Sequence, residues 1–353
     1  MTLFSSSRPG RKAASWGITS LLLISLVSLI ALPSGYVIQR PGQVFDVMAE
    51  IDGKPVISSK DVPTFESDSR FDVTTVSLLG NRESNPNWFQ ILLAWLDPNQ
   101  DVLPVDQVYP ANKTTAEVKA ESTAQMEISQ QDAIAAALIQ LGYEVPRKLY
   151  VNSVIADAPA AGMLVAGDFV ISAGGVRVLT FEELREQVQK TEGAEIVIGV
   201  VRDGKSLDYT ITPGLKDGKY FIGAMVGYTY EFPVGIDLQL GNVGGPSGGL
   251  MFSLGIFDTL TKGSLAGENH ISGTGTITPA GDVGPIGGIR LKLIAAKNSG
   301  ADLFLIPEGN CSEAITSIPE GLNVAVVRDL QGAISSVESF TAGNPLPAPS
   351  CNN

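Results

Sequence analysis

The stretch GVVRDGKS, residues 199–206, fits the phosphate-loop pattern G-x-x-x-x-G-K-[ST] letter for letter. Its reading decides between a nucleotide-binding fold and a small antiparallel sheet. A phosphate loop works only where a strand ends in a glycine-rich turn and a helix begins, because the helix N-terminal amides cradle the phosphates. Upstream, AEIVIGVV (194–201) is a β-branched, strand-like run. Downstream, LDYTIT (207–212) alternates apolar and polar residues and then meets Pro213, so a second strand follows and not a helix. Asp203 and Gly204 between them form the dipeptide of a tight hairpin, whose central residues both need positive φ. The stretch therefore reads as a hairpin, and neither a nucleotide nor any other cofactor is expected.

Outward from the hairpin, residues 142–213 order themselves into one module. LYVNSVI (149–155) and AGDFVIS (166–172) read as strands, APAAGML (158–164) as a short turn of helix, and AGGVRV (173–178) as a hairpin. Thr180-Phe-Glu-Glu183 is a capping box that opens a helix to about Lys190. In order and spacing this module resembles a bacterial PDZ domain. That resemblance implies peptide capture by strand addition to an open sheet edge, which would lie at residues 149–154. Arg147, Lys148, Leu149 and Val151 are then candidate peptide-binding residues, with the basic pair either near a peptide carboxylate or simply solvated in a loop.

The formal net charge of −13 sets nucleic acid and anionic membrane surfaces aside as partners, since neither attracts a net-negative protein. Residues 13–39 carry no charge, and residues 16–32 are apolar enough to span a hydrocarbon core, with Arg8, Arg11 and Lys12 before them. The positive-inside rule then keeps the N-terminus cytoplasmic and makes the body extracytoplasmic, on a single-pass protein of the cell membrane. A cleaved signal peptide is the alternative, and it leaves the body outside as well. The two cysteines, Cys311 and Cys351, either pair and tie down the Pro-rich tail, a loop closure worth about 3 kcal/mol, or stay free. No metal site is expected, because clustered His and Cys are lacking.

Chemistry has few places to reside. The single histidine, His270, reads as a packed or hydrogen-bonded group, since no serine elbow lies near it. A different arrangement is available in IDLQLGNVGGPSGGL (236–250), a strand running into a glycine-rich turn that carries Ser247 ahead of an apolar helix. A serine there sits where unpaired helix N–H groups stabilise an oxyanion. Later, VGPIGGIRLKLIAAK (283–297) places Lys292 in the first turns of a helix, on one face with Ala295 and Ala296, whereas Arg290 lies off that face. Burial lowers a lysine pKa, and a neutral Lys292 takes the proton of Ser247 without a histidine. On the residues alone, a plain turn and a solvated lysine fit equally well.

GGPSGG (244–249), followed by GGIRLKLIAAKNSGADLFLIP (287–307), resembles the proteolytic domain of Lon. The resemblance implies a dyad with Ser247 as nucleophile and Lys292 as base. Thr274 would hold the amine, and backbone N–H groups of the turn from Gly245 to Gly248 would take the oxyanion. DVTTVS (72–77) and TAQMEISQQDAIAAALIQ (123–140) resemble the same domain's preceding strand and first helix. The expected organisation is α+β: a cytoplasmic tail and transmembrane helix over 1–35, and a Lon-type domain of mixed sheets with helices over 36–141 and 214–340. A PDZ domain is inserted at 142–213, and a tail occupies 341–353. Within this reading a helix runs from Ser129 to Leu141, and the polar residues 112–125 form a mobile connection.

The arrangement as a whole is similar to PDZ-containing, Lon-like membrane proteases. It implies an ATP-independent serine endopeptidase acting on unfolded or extended protein segments, with a homo-oligomeric, hexameric ring as the resemblance's assembly. The alternative is an inactive, membrane-tethered PDZ scaffold. One departure stands out: where the Lon motif often has an acidic residue two before the proline, this chain has Gly244.

Overall fold

The computed structural model describes residues 32–51, 53–239, 244–347 and 351, together with the isolated helical positions Trp16, Ser20, Leu23, Val27 and Ile30. The expected membrane span thus falls almost wholly outside the described residues, among which no helix is long and apolar enough to cross a membrane.

From residue 36 onward the main elements are strand β1 (Tyr36–Asp46), strand β2 (Arg70–Leu79), helix α1 (Trp88–Leu96), strand β3 (Asp101–Pro104) and helix α2 (Thr115–Gln140). Next come strands β4 (Arg147–Val154) and β5 (Phe169–Ala173), helix α3 (Phe181–Lys190), and strands β6 (Ile196–Arg202), β7 (Lys205–Ile211) and β8 (Ala224–Tyr230). The last part holds helix α4 (Gly249–Leu260), strand β9 (His270–Gly273), helix α5 (Ile289–Asn298), strands β10 (Leu303–Pro307) and β11 (Asn323–Val327), and helix α6 (Leu330–Thr341).

Two units result, one of Met1–Leu141 with Ile236–Asn353 and one of Gly142–Gly235. In the first, a six-stranded sheet has the order β11-β10-β9-β2-β1-β3. β9 runs parallel to both β2 and β10, whereas β1 is antiparallel to β2 and β3. The sheet's centre is therefore built from both ends of the chain. Helix α4, GLMFSLGIFDTL, is apolar over most of its surface, and a helix of that kind must be enclosed. Most of it is buried, and Ser253 Oγ donates to the carbonyl of Ala133 in α2 at 3.2 Å. Gly249 is required at its start, because a Cβ there would stand 2.8 Å from Ile277 Cγ2 and 2.9 Å from Ser129 Oγ.

Helix α2 is twice as long as expected. Its first half, TTAEVKAESTAQ, has no apolar stripe, yet Ala, Glu, Lys and Gln are good helix formers. Thr114 and Glu117 close a capping box at its start. From Thr115 onward the stretch expected to be mobile is helix, because propensity and a cap suffice where periodicity is silent.

The second unit is an antiparallel sheet in the order β7-β6-β5-β4-β8. β6 and β7 are the two arms of the opening hairpin, with Arg202 opposite Lys205 and φ of 50° at Asp203 and 76° at Gly204. No helix follows Ser206, so the phosphate-loop pattern is a turn. Thr180 and Glu183 form the expected capping box on α3, whereas residues 158–164 are a run of turns, not helix. Residues 214–235, assigned from sequence to the proteolytic domain, fold with this unit, because β8 pairs along the whole of β4.

Cys311 and Cys351 are disulfide-bonded, with Cα atoms 5.5 Å apart. His270 is buried against Asp72, which Arg70 also holds through two hydrogen bonds of 3.1 Å. Burial alone would raise the Asp72 carboxyl, but the hydrogen bonds from His270 and Arg70 outweigh it and hold the group below the usual carboxylate range. His270 lies four positions along the strand direction from Thr274, about 13 Å, and serves the fold of the sheet.

Candidate active site

Two helix starts meet at the site. The turn before α4 carries Ser247, with Gly245 at φ 82° and Gly248 as the helix N-cap. Gly288, at φ 72°, caps α5, and its carbonyl accepts from the Lys292 N–H at 3.1 Å. This sets the lysine on the inward face with Ala295 and Ala296, all three buried. Arg290, two residues earlier, points elsewhere and pairs with Asp101 at 2.6 Å.

Lys292 Nζ lies 2.7 Å from Ser247 Oγ and 2.9 Å from Thr274 Oγ1. Thr274 Oγ1 in turn donates to the Ser247 carbonyl at 3.0 Å, and the Gly275 N–H reaches the same oxygen at 2.9 Å. Both side-chain partners of the amine are neutral hydroxyls. Lys292 is 2 % exposed, and burial lowers its pKa from 10.5 to about 7. Near neutral pH a large share of the amine is therefore uncharged and able to accept the serine proton.

One end of the turn expected to hold the oxyanion is already engaged. The Gly245 N–H donates to the Ser122 carbonyl at 2.9 Å, and Pro246 has no N–H, so the start of the turn is committed to holding itself in place. The N–H groups of Ser247 and Gly248 lie at the start of α4, where helix donors can meet an oxyanion. Sequence reasoning also missed what fixes the turn. Ser129 Oγ donates to the Pro246 carbonyl at 2.9 Å, and Ser122 and Ser129 stand seven residues apart on one face of α2. Such spacing of two serines on a helix beside the turn was the available signal.

The sequence-expected peptide edge is not an edge. β4 pairs with β8 on one side and, through Leu149 and Tyr150, with β5 on the other. Leu149 and Val151 are core residues, Lys148 pairs with Glu231, and the Arg147 guanidinium sits 5.2 Å over the Tyr228 ring. The chain after Pro213 returns as β8 and covers the strand, leaving β8 and β7 as the two outer strands of the sheet. The alternation in AMVGYTY (224–230) carried that information.

A family model described as the Lon protease (S16) C-terminal proteolytic domain matches residues 234–337, and one described as a PDZ domain matches residues 116–212. The chain carries the proteolytic domain of a Lon-type serine peptidase, together with a PDZ domain. Lon protease 2 of Bacillus subtilis is 27% identical over 212 residues, 56% of this chain and 34% of that protein. The Lon protease of Campylobacter concisus is 34% identical over 134 residues, 36% of this chain and 16% of that protein. The alignments thus cover about a third or less of these relatives' lengths. Among solved structures, the PDZ domain of the SdrC-like protein from Listeria monocytogenes is similar at 27% identity, with a TM-score of 0.21, over 22% of this chain and 85% of that one.

The Gly244 departure has a local counterpart on α2. A Cβ at Gly244 would stand 2.4 Å from Ser122 Oγ, so a larger residue there requires the Ser122 hydroxyl to turn to another rotamer. Glycine at this position and serine on the helix fit one another.

Proposed function

We propose that this chain is a serine endopeptidase anchored to the membrane by its N-terminal apolar segment and acting outside the cytoplasm, without nucleotide, on unfolded or extended protein segments. The observation that carries the proposal is the buried amine of Lys292 held 2.7 Å from Ser247 Oγ. In the reaction Lys292 Nζ takes the Ser247 proton as Oγ attacks the scissile carbonyl. The Ser247 and Gly248 N–H groups receive the oxyanion, and Lys292 returns the proton to the departing amine. Water activated by the same amine then hydrolyses the acyl-enzyme. Thr274 is a positioning residue: it orients the amine through its hydroxyl and is anchored on the Ser247 carbonyl. The 16–32 apolar run and the Cys311 to Cys351 bond support the compartment, since disulfides persist in oxidising environments.

The test is cleavage of unfolded casein by the full chain, with and without added ATP. Cleavage independent of nucleotide is expected; dependence on ATP contradicts the proposal. The pH profile follows from the lysine. kcat/KM is expected to rise about tenfold per pH unit below pH 6 and to level off above about pH 8, as Lys292 loses its proton around pH 7. A flat profile from pH 5 to 9 removes Lys292 as the base.

For substrate selection we assign strand addition to β8 in place of β4. Because Lys148 is already paired at the surface, Lys148→Ala is expected to change the affinity for a peptide with an apolar free C-terminus by less than about twofold. Fluorescence polarisation on the full chain reads this directly, and a loss beyond tenfold returns the site to β4.

A further inference from the structure

Helix α1 is out of place on a water-facing surface. Residues 85–96, NPNWFQILLAWL, hold no ionisable group. One face, Ile91 and Ala94, is buried with Ile38 beneath it, and Trp88 packs edge-on to Tyr36 at 5.9 Å. The opposite face should be polar, yet Phe89, Leu92, Leu93 and Leu96 repeat at i, i+3, i+4 and i+7 and all stand exposed, Leu96 by 74 %. Trp95, 60 % exposed, flanks this stripe. Soluble domains rarely present a contiguous apolar surface of this kind.

The chain says what covers it. Pro33 forms a bridge with Asn87, the N-cap of α1, and the Ser34 N–H donates to the Pro86 carbonyl at 2.8 Å. The apolar run of residues 16–32 therefore ends at the foot of α1. We infer that α1 lies in the headgroup region of the bilayer that holds the N-terminal segment, its Phe89, Leu92, Leu93, Trp95 and Leu96 face dipping into lipid. This inference rests on the membrane reading proposed above. Tryptophan favours the membrane–water interface, and a helix with an apolar outer face binds there in proportion to the apolar area it buries. With no cation on the helix and a net charge of −13, the lipid need not be anionic. The consequence is a proteolytic domain held against the membrane surface by two attachments.

Trp16, Trp88 and Trp95 are the chain's three tryptophans, which permits a direct test. The full chain with Trp16→Phe and Trp88→Phe keeps Trp95 alone, and a second protein with Trp88→Phe and Trp95→Phe keeps Trp16 alone. Each is reconstituted in phosphatidylcholine vesicles with bromine at shallow or deep acyl positions. The inference expects Trp95 emission to fall by roughly twofold with shallow bromine, and Leu93→Glu with Leu96→Glu, both on the exposed face, to relieve that quenching. Quenching of Trp16 without quenching of Trp95 overturns the lipid contact while keeping the span. Quenching of neither overturns the membrane reading and this inference with it. A Trp95 that resists both bromolipid and aqueous acrylamide is covered by protein, which also overturns it.

Discussion

Replacing Ser247 by Ala, or Lys292 by Met, is expected to lower kcat/KM on unfolded casein by ~10⁴-fold or more, and the double substitution to lower it no further. The serine supplies the only atom that bonds to the carbonyl. Among the described residues the lysine is the group beside Ser247 Oγ placed to take its proton, since the other neighbour of the amine, Thr274, is itself a neutral hydroxyl bonded to the Ser247 carbonyl. His270, the usual partner of such a serine, is committed to Asp72 in the sheet. Non-additivity is the informative part. Two groups acting in one proton transfer fail together, whereas two independent contributions multiply. Initial rates for wild type, both single variants and the double variant decide it; a Lys292→Met enzyme within tenfold of wild type rejects the mechanism.

The same substitution is expected to make the folded protein more stable. Lys292 has its pKa lowered from 10.5 to about 7 by burial, so between these values the unfolded chain binds the proton that the folded chain has released. Native stability must therefore rise with pH through that window. Below pH 7 both states hold the proton, and the full cost of burying the ammonium applies. At about 1.4 kcal/mol per tenfold this cost is on the order of 5 kcal/mol, an upper figure. Methionine fills nearly the same volume without charge and leaves Thr274 bonded to the Ser247 carbonyl, giving up only the amine's own two hydrogen bonds, at about 1 kcal/mol each. Lys292→Met is expected to gain roughly 2–4 kcal/mol at pH 6, a gain that shrinks as pH approaches 10. Urea denaturation of the two proteins at pH 6 and pH 9.5 measures it. Equal stabilities at pH 6 would show a lysine that is solvated or already paired with an anion.

These two outcomes together mark a stability–activity trade. A residue retained at a cost to the fold, and needed for turnover, is a functional residue on physical grounds. Among the described residues the Lys292 amine hydrogen-bonds to Ser247 and Thr274.

Much of the architecture was readable where local chemistry is decisive. Asp203-Gly204 fixed a hairpin against a competing motif, and Thr180 with Glu183 fixed the start of α3. The inward face of α5 followed from the spacing of Lys292, Ala295 and Ala296. What was not readable depended on partners distant in sequence. The edge of the PDZ sheet was misplaced because β4 looks the same whether or not β8 covers it, and that pairing joins residues 147–154 to 224–230. The oxyanion turn was only half legible, since a glycine amide is a free donor until a distant carbonyl, here Ser122, accepts from it. The first half of α2 was missed for a different reason: a solvent-exposed helix with polar residues all round shows no period, only a cap and good formers.

The central claim is that Lys292 makes Ser247 a nucleophile, and one measurement addresses it without any assumption about substrate. The full chain is treated at pH 8 with a fluorophosphonate, a small electrophile that phosphonylates activated serines, and the adduct is located by peptide mass spectrometry in wild type and in Lys292→Met. A single adduct on Ser247 is expected in wild type, and its loss in the variant. Labelling of Ser247 that persists undiminished without the lysine, or labelling confined to another serine, contradicts the claim.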